Sequence, residues 1–184
     1  MKLYGSDYEF LKRNVVALFK EYNVTSFPIK PFEIAEKMNI KCIPYSSLSK
    51  KARTQALEYS NEGYSVETND YKWIIYYNDS FARGTINNII IHEISHFWLG
   101  HTGDEDKKER EESEASFFAK YALTPPVIAD RILSQFSDAE FKLWFDLSWQ
   151  GATGAREYYE TWLRRPYQGL TEYEIDLLNL NGLK

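Results

Sequence analysis

The segment 92–96 reads His-Glu-Ile-Ser-His, and its two histidines and glutamate are residue types that could together do metal chemistry. On a helix, residues four apart are neighbours with Cβ atoms about 5–6 Å apart, so His92 and His96 could each offer an imidazole to one ion. Apolar residues flank the segment at 89–91 and 97–99, and a helix that is apolar on all sides is normally buried. Because buried polar groups persist only when paired, hydrogen-bonded or bound to metal, the pattern predicts a zinc site with Glu93 beside it.

A catalytic zinc ion held by two histidines needs a third protein ligand and an open fourth position for water. The chain has three histidines, and the third, His101, follows His96 by five residues. The metzincin pattern requires a histidine six residues after, so we expect His101 to interact instead with the C-terminal dipole of the helix. The other candidates are two glutamates of the charged segment 104–114, Glu112 and Glu114.

A helix over 108–123 would place these two glutamates on different stripes, that is, in different rows of side chains spaced three or four residues apart along the helix. The stripe of Glu112 carries mostly small side chains, which let a second helix approach closely: Ala115, Ser116, Ala119 and Leu123. The stripe of Glu114 carries the bulky Phe117, Phe118 and Tyr121. We therefore predict that Glu112 is the third ligand, and Glu114 is the alternative.

This set of residues predicts a reaction. Zinc lowers the pKa of a bound water to about 7 and polarises a carbonyl group. Glu93, within reach of that water, would take its proton and pass it to a leaving amine. The predicted reaction is hydrolysis of a peptide bond, with Glu93 as the catalytic base.

The elements that must position these residues are predicted from periodicity and turn signals. Helices are expected over about 7–22, 31–38, 81–100, 108–123, 127–136, 138–145 and 155–165 and after Thr171, the first with Ser6 in a capping box, and strands at 40–45, 64–67 and 71–77. The segments 46–53 and 151–154 are predicted to be loops, and the last two strands to form a hairpin. Its aromatic residues, Tyr71, Trp73, Tyr76 and Tyr77, predict cross-strand packing, and the strand 71–77 could be a sheet edge that pairs with an extended peptide.

Composition limits the class of protein. The 184 residues are 43% hydrophobic, enough for one core of ordinary size. The net charge of −5 comes from 22 basic and 27 acidic residues. This balance lacks the excess of basic residues that binding to nucleic acid or an anionic membrane would require. The single Cys42 cannot form an internal disulfide, which fits a reducing cytoplasm, and no segment has the length of a membrane span or the pattern of a leader. We expect a soluble cytoplasmic protein.

Four segments together resemble the ImmA/IrrE-type zinc metallopeptidases. They are 31–35 (Pro-Phe-Glu-Ile-Ala), the strand ending Ile74-Ile75-Tyr76-Tyr77-Asn78, the histidine motif followed by Leu99-Gly100-His101, and 112–119 running into Leu123-Thr124-Pro125. The resemblance covers about residues 28–126. It implies His92, His96 and Glu112 as zinc ligands and Glu93 as the base. Ser116 replaces the asparagine of the family pattern, which removes a residue expected to orient a ligand, and Thr124 replaces a methionine.

The resemblance also implies a fold and a role. We expect a single α+β, zincin-like domain over 1–184, with a small antiparallel or mixed sheet packed on the His92 helix. Residues 127–184 are expected to add helices, either as a cover on the same core or as a subdomain. Such proteins are similar to site-specific proteases that cleave a helix-turn-helix repressor of a phage, a mobile element or a stress response. A DNA-binding domain is not expected upstream, so the repressor would be a separate protein. A non-proteolytic, antitoxin-like binding role is the alternative, and the oligomeric state is not predicted.

Overall fold

The structure is a computed structural model that describes residues 3–70, 72–166 and 169–183. Within these residues the strands are β1 (Lys41–Pro44), β2 (Gly63–Glu67) and β3 (Trp73–Tyr77). The helices are α1 (Gly5–Glu21), α2 (Pro31–Lys37), α3 (Lys50–Tyr59), α4 (Arg83–Leu99), α5 (Lys108–Leu123), α6 (Pro126–Ile132), α7 (Asp138–Phe145), α8 (Trp149–Leu163) and α9 (Glu172–Leu180), with a short 3₁₀ turn at Tyr45–Ser47.

The strands form a mixed sheet in the order β1-β3-β2. β1 runs parallel to β3, whereas β2 and β3 form the expected antiparallel hairpin, with Tyr64 opposite Tyr76. The rings of this pair stack at 5.2 Å, as predicted for cross-strand packing, while Tyr71 lies outside the described residues. The prediction that 71–77 is a sheet edge is wrong, because β3 is the central strand and β2 lies at the edge.

Helix α4 is the buried helix that carries the histidine motif. Its isoleucines at 89, 90, 91 and 94 are each at most 3% exposed, since one face packs on β2 and β3 and another on α5. The helix ends at Gly100, whose φ of 69° is the left-handed conformation that glycine adopts without strain. The all-round apolar pattern therefore predicted the burial of this helix, and Gly100 predicted its end.

Helix α5 packs along α4 through small residues. Ala115, Ala119 and Ala122 are fully buried, and the bounds Lys108–Leu123 are those predicted from sequence. α1 packs against α5 in turn. The close approach of α4 and α5 brings the charged first turns of α5 next to the histidines of α4.

The C-terminal helices share the core of the rest of the chain. Phe141, Phe145 and Leu177 belong to the same buried cluster as Phe19 and Ile90. The result is an α+β fold with a small mixed sheet packed on the motif helix and additional C-terminal helices, as predicted.

Two predicted loops are helical. The segment 46–53 contains the start of α3, where Ser49 Oγ accepts a hydrogen bond from the Ala52 amide and so caps the helix. The segment 151–154 lies in α8, where Ser148 Oγ accepts from the Gly151 amide and Ala152 is fully buried. In both segments, a serine cap just before a polar or small-residue sequence starts a helix.

The start of α1 also differs from the prediction. The helix begins at Gly5 rather than after Ser6, and the Tyr4 amide donates to Asp7 Oδ2 at 2.8 Å. None of the helices in the described residues is both long and apolar enough to cross a membrane.

Candidate metal centre

His92 and His96 lie on consecutive turns of α4, and their Nε2 atoms face each other at 3.1 Å. Both side chains are mostly buried, with 19% and 16% of their surfaces exposed. The i, i+4 spacing fixes this geometry because the two side chains point from the same face of one helix. Two ring nitrogens that face each other so closely require either a shared proton or a cation between them.

Glu112 approaches both histidines from the first part of α5. Its Oε2 lies 3.3 Å from His92 Nε2, and its Oε1 lies 3.6 Å from His96 Nε2. Donor atoms around a tetrahedral zinc ion with bonds of about 2.1 Å are about 3.4 Å apart, close to these distances. In the part of the chain that the structure describes, these three residues form the one group of this kind that could hold a metal ion.

The electrostatics of this group also fit a divalent cation. Burial lowers the pKa of His96 to about 4, and the neighbouring His92 adds to the effect, so His96 is neutral near pH 7 and can offer a lone pair. A hydrogen bond with His92 lowers the pKa of Glu112, so Glu112 is a carboxylate. Two histidines and one glutamate are a donor set that zinc binds in enzymes.

Glu93, next to His92 in sequence, projects under the sheet. It is 8% exposed, and Ser65 Oγ of β2 donates a hydrogen bond of 2.8 Å to its Oε2. Burial raises the pKa of Glu93, and the Ser65 bond and the charge of His92 oppose that rise. A buried carboxylate with a raised pKa is better suited to take a proton near neutral pH than an exposed one.

The alternative third ligand lies in a different environment. Glu114 is 14% exposed, its Oε2 lies 3.1 Å from His101 Nε2, and its Oε1 accepts from Arg110 Nε at 2.7 Å. Glu112, by contrast, has 53% of its side chain exposed, which leaves one side of the histidine pair open to solvent. The structure thus brings Glu112, and not Glu114, to the Nε2 atoms of both histidines.

Two residues of this region, Ser65 and His101, make contacts that the sequence did not predict. Ser65 lies 28 residues before Glu93, so no local spacing could connect them. His101 was expected at the helix dipole, but its Nδ1 lies 2.9 Å from His96 Nδ1. A signal for the second contact does exist in the sequence, because Gly100 can turn the chain back onto the last turn of α4.

A helix bearing His-Glu-x-x-His beside a small sheet is the arrangement expected of a zincin-type peptidase. The sequence profile of peptidase family M78, described as the IrrE N-terminal-like domain, matches residues 44–147. The match covers more than half of the chain and includes His92, His96 and Glu112, so this chain belongs to that peptidase family. No match to a curated protein is found. The profile match begins after segment 31–35, which contributed to the resemblance seen in the sequence. It extends to residue 147, beyond the end of that resemblance at about residue 126.

Proposed function

We propose that this protein is a zinc-dependent endopeptidase that cleaves a protein partner in the cytoplasm. The observation that carries the proposal is the convergence of His92, His96 and Glu112, with donor atoms 3.1–3.6 Å apart, beside the buried carboxylate of Glu93. These three residues would hold the zinc ion, and Glu93 would be the catalytic base. Membership of a peptidase family supports the reaction class.

A zinc ion bound at this site would supply a Lewis acid that polarises the scissile carbonyl and acidifies a water molecule. Glu93 then accepts the proton of the attacking water and delivers it to the leaving amine. Ser65 holds one oxygen of Glu93 by its hydrogen bond, so the other oxygen is available to accept the proton. The exposed side of Glu112 gives solvent and substrate access to the centre.

The edge strand offers a way to bind an extended substrate. Among the described residues β2 pairs with β3 alone, so the second edge of β2 has no strand partner. An extended peptide can add to such an edge through backbone hydrogen bonds. Ser65 of the same strand contacts Glu93, so a peptide bound there would lie near the proposed base.

We further propose that the substrate is a helix-turn-helix transcriptional repressor. The resemblance of four segments to the ImmA/IrrE-type peptidases supports this choice. The proposed role is in gene regulation without direct contact to nucleic acid, since the balance of 22 basic and 27 acidic residues gives no basic patch.

The test is incubation of the zinc-loaded protein with purified helix-turn-helix repressors of the same organism, with fragments identified by mass spectrometry. Wild type is expected to produce one specific cleavage. Glu93→Gln keeps the size of the side chain but removes the base, so cleavage should fall by about 10²–10⁴-fold while zinc binding persists. Glu58→Gln, a change of the exposed glutamate on α3, is the control and should leave cleavage unchanged.

Two outcomes would contradict the proposal. Intact repressor after incubation with the wild-type protein would reject it as the substrate. If Glu93→Gln instead relieved repression in cells as well as wild type does, proteolysis would be rejected in favour of the antitoxin-like binding role.

A further inference from the structure

His101 occupies a buried position directly behind the proposed metal centre. The left-handed turn at Gly100 folds the chain back, so that the His101 amide donates to the His96 carbonyl at 3.0 Å. Its ring Nδ1 then lies 2.9 Å from His96 Nδ1, on the side of His96 opposite the Nε2 that faces His92. The side chain of His101 is 6% exposed.

The other ring nitrogen of His101 takes part in a second set of side-chain polar contacts. His101 Nε2 lies 3.1 Å from Glu114 Oε2, and Arg110 Nε donates to Glu114 Oε1. Arg110 also donates to Asp7 Oδ1 of α1 at 3.1 Å. A continuous series of hydrogen bonds therefore runs from His96 through His101 and Glu114 to the first helix.

The loop around His101 is fixed independently. Glu111, which is 8% exposed, accepts hydrogen bonds from the amides of Thr102 and Gly103 at 3.0 and 2.9 Å. The backbone that carries His101 is thus tied to the same helix that provides Glu114 and Glu112. The position of the His101 ring is therefore fixed by the local backbone as well as by its own side-chain contacts.

The hydrogen-bond chemistry of this series permits one arrangement when His96 binds metal. A neutral imidazole that offers the Nε2 lone pair carries its proton on Nδ1, so His96 must donate to His101. His101 Nδ1 must then be the acceptor, which places the His101 proton on Nε2. That proton points at Glu114 Oε2, a carboxylate oxygen that can only accept.

We propose that His101 is a positioning residue that, with Glu114 behind it, holds His96 in the tautomer and ring orientation required for zinc binding. Histidine ligands of metals are commonly oriented by such a contact, and its loss costs about 10–100-fold in metal affinity or activity. The inference rests on the proposed metal centre and assigns functions to His101 and Glu114. It also accounts for the buried position of Glu114, which would otherwise be a carboxylate beside the site without a role in it.

The tautomers can be observed directly, because the chain has three histidines and its imidazole ¹⁵N spectrum contains three ring systems. In the zinc-loaded protein we expect His96 protonated at Nδ1 and His101 protonated at Nε2. The opposite tautomer at His101 would overturn the inference. This measurement uses the unmodified chain and therefore does not depend on any variant folding.

Zinc affinity gives the second readout, measured by competition with a chromophoric chelator. His101→Phe retains a ring but has no acceptor, and it should weaken zinc binding about 10–100-fold. His101→Asn places an amide oxygen near the Nδ1 position, so it should bind zinc more tightly than His101→Phe although both lose the contact with Glu114. Ser113→Ala on α5, a change outside the hydrogen-bond series, is the control and should match wild type.

The outcomes separate the two proposals. If wild type binds zinc and His101→Phe binds it with equal affinity, the positioning role is overturned and the metal centre stands. If the Phe and Asn variants lose zinc affinity equally, and their melting temperatures without zinc fall by the same amount, His101 is a structural residue only. A wild-type chain that binds no zinc would overturn the metal centre and this inference with it.

Discussion

Ser65 of the edge strand β2 donates a hydrogen bond of 2.8 Å to Oε2 of Glu93 on α4. This contact links the sheet edge, where a peptide could pair, to the carboxylate proposed as the base. It also supplies a polar partner for a side chain that is 8% exposed, and a buried carboxylate without such a partner is costly. The sheet and the motif helix therefore both contribute to the proposed site.

Loss of this contact should affect catalysis more than metal binding. Ser65→Ala removes the donor, and a hydrogen bond to a charged group contributes about 1.5–3 kcal/mol, so we expect kcat to fall about 10–100-fold. Zinc affinity should change little because Ser65 does not contact the proposed ligands. Steady-state kinetics of repressor cleavage measure the change in kcat, and chelator competition measures the change in zinc affinity.

Ser65→Thr provides the matched control because it keeps the hydroxyl and suits a strand. It should restore most of the lost kcat. Wild-type kcat in Ser65→Ala would show that the contact serves the fold alone.

The two glutamates of α5 should differ in their effects on zinc. Glu112→Ala removes a proposed ligand, whereas Glu114→Ala removes a partner of His101 and leaves the three donor atoms in place. We therefore expect a much larger loss of affinity for Glu112→Ala than for Glu114→Ala, measured by competition with a chelator. A larger loss in Glu114→Ala would make Glu114 the third ligand.

Glu174 of α9 should make stability depend on pH in the acidic range. Burial alone would raise its pKa, but hydrogen bonds from the Thr171 amide, the Trp162 indole and the Arg165 guanidinium outweigh burial and lower it. A carboxyl with a lowered folded-state pKa stabilises the fold above its unfolded pKa of about 4.3, and this stabilisation is lost as pH falls through the folded value.

Substitution of Glu174 tests this dependence. Its side chain is 3% exposed, so Glu174→Gln should lower the free energy of unfolding at pH 7 by about 1–3 kcal/mol. The difference from wild type should shrink as the pH falls below about 4. Urea unfolding of both proteins at several pH values measures it, and a constant difference across that range would contradict the assignment.

Much of the fold follows from local sequence patterns. The bounds of α5 and the end of α4 at Gly100 match the prediction, because a long helical period and a well-placed glycine act within a few residues. Helix α3 was missed because it is polar and Ala56 is the residue it buries, so it shows little periodicity. The start of α8 was missed because its glycines resemble a loop, although Gly151 and Gly154 lie within the helix.

The candidate site likewise contains residues that local sequence predicts and residues that depend on contacts between distant segments. The pairing of His92 with His96 is local to one helix, and Glu112 could be chosen because small residues on its stripe predict close packing of α5 on α4. Ser65 and the contact between His101 and Glu114 depend on how separate elements meet. The central position of β3 likewise depends on the parallel pairing with β1, a long-range contact that the strand sequence does not encode.

The most direct test of the metal centre is the zinc content of the purified protein by elemental analysis, compared with that of His92→Ala. The imidazole of His92 lies within 3.1–3.3 Å of the other two donor residues, so its loss should remove the ion. We predict about one zinc per wild-type chain and close to none in the variant, with a similar circular dichroism spectrum. Equal zinc content in the two proteins would contradict a centre built from His92, His96 and Glu112.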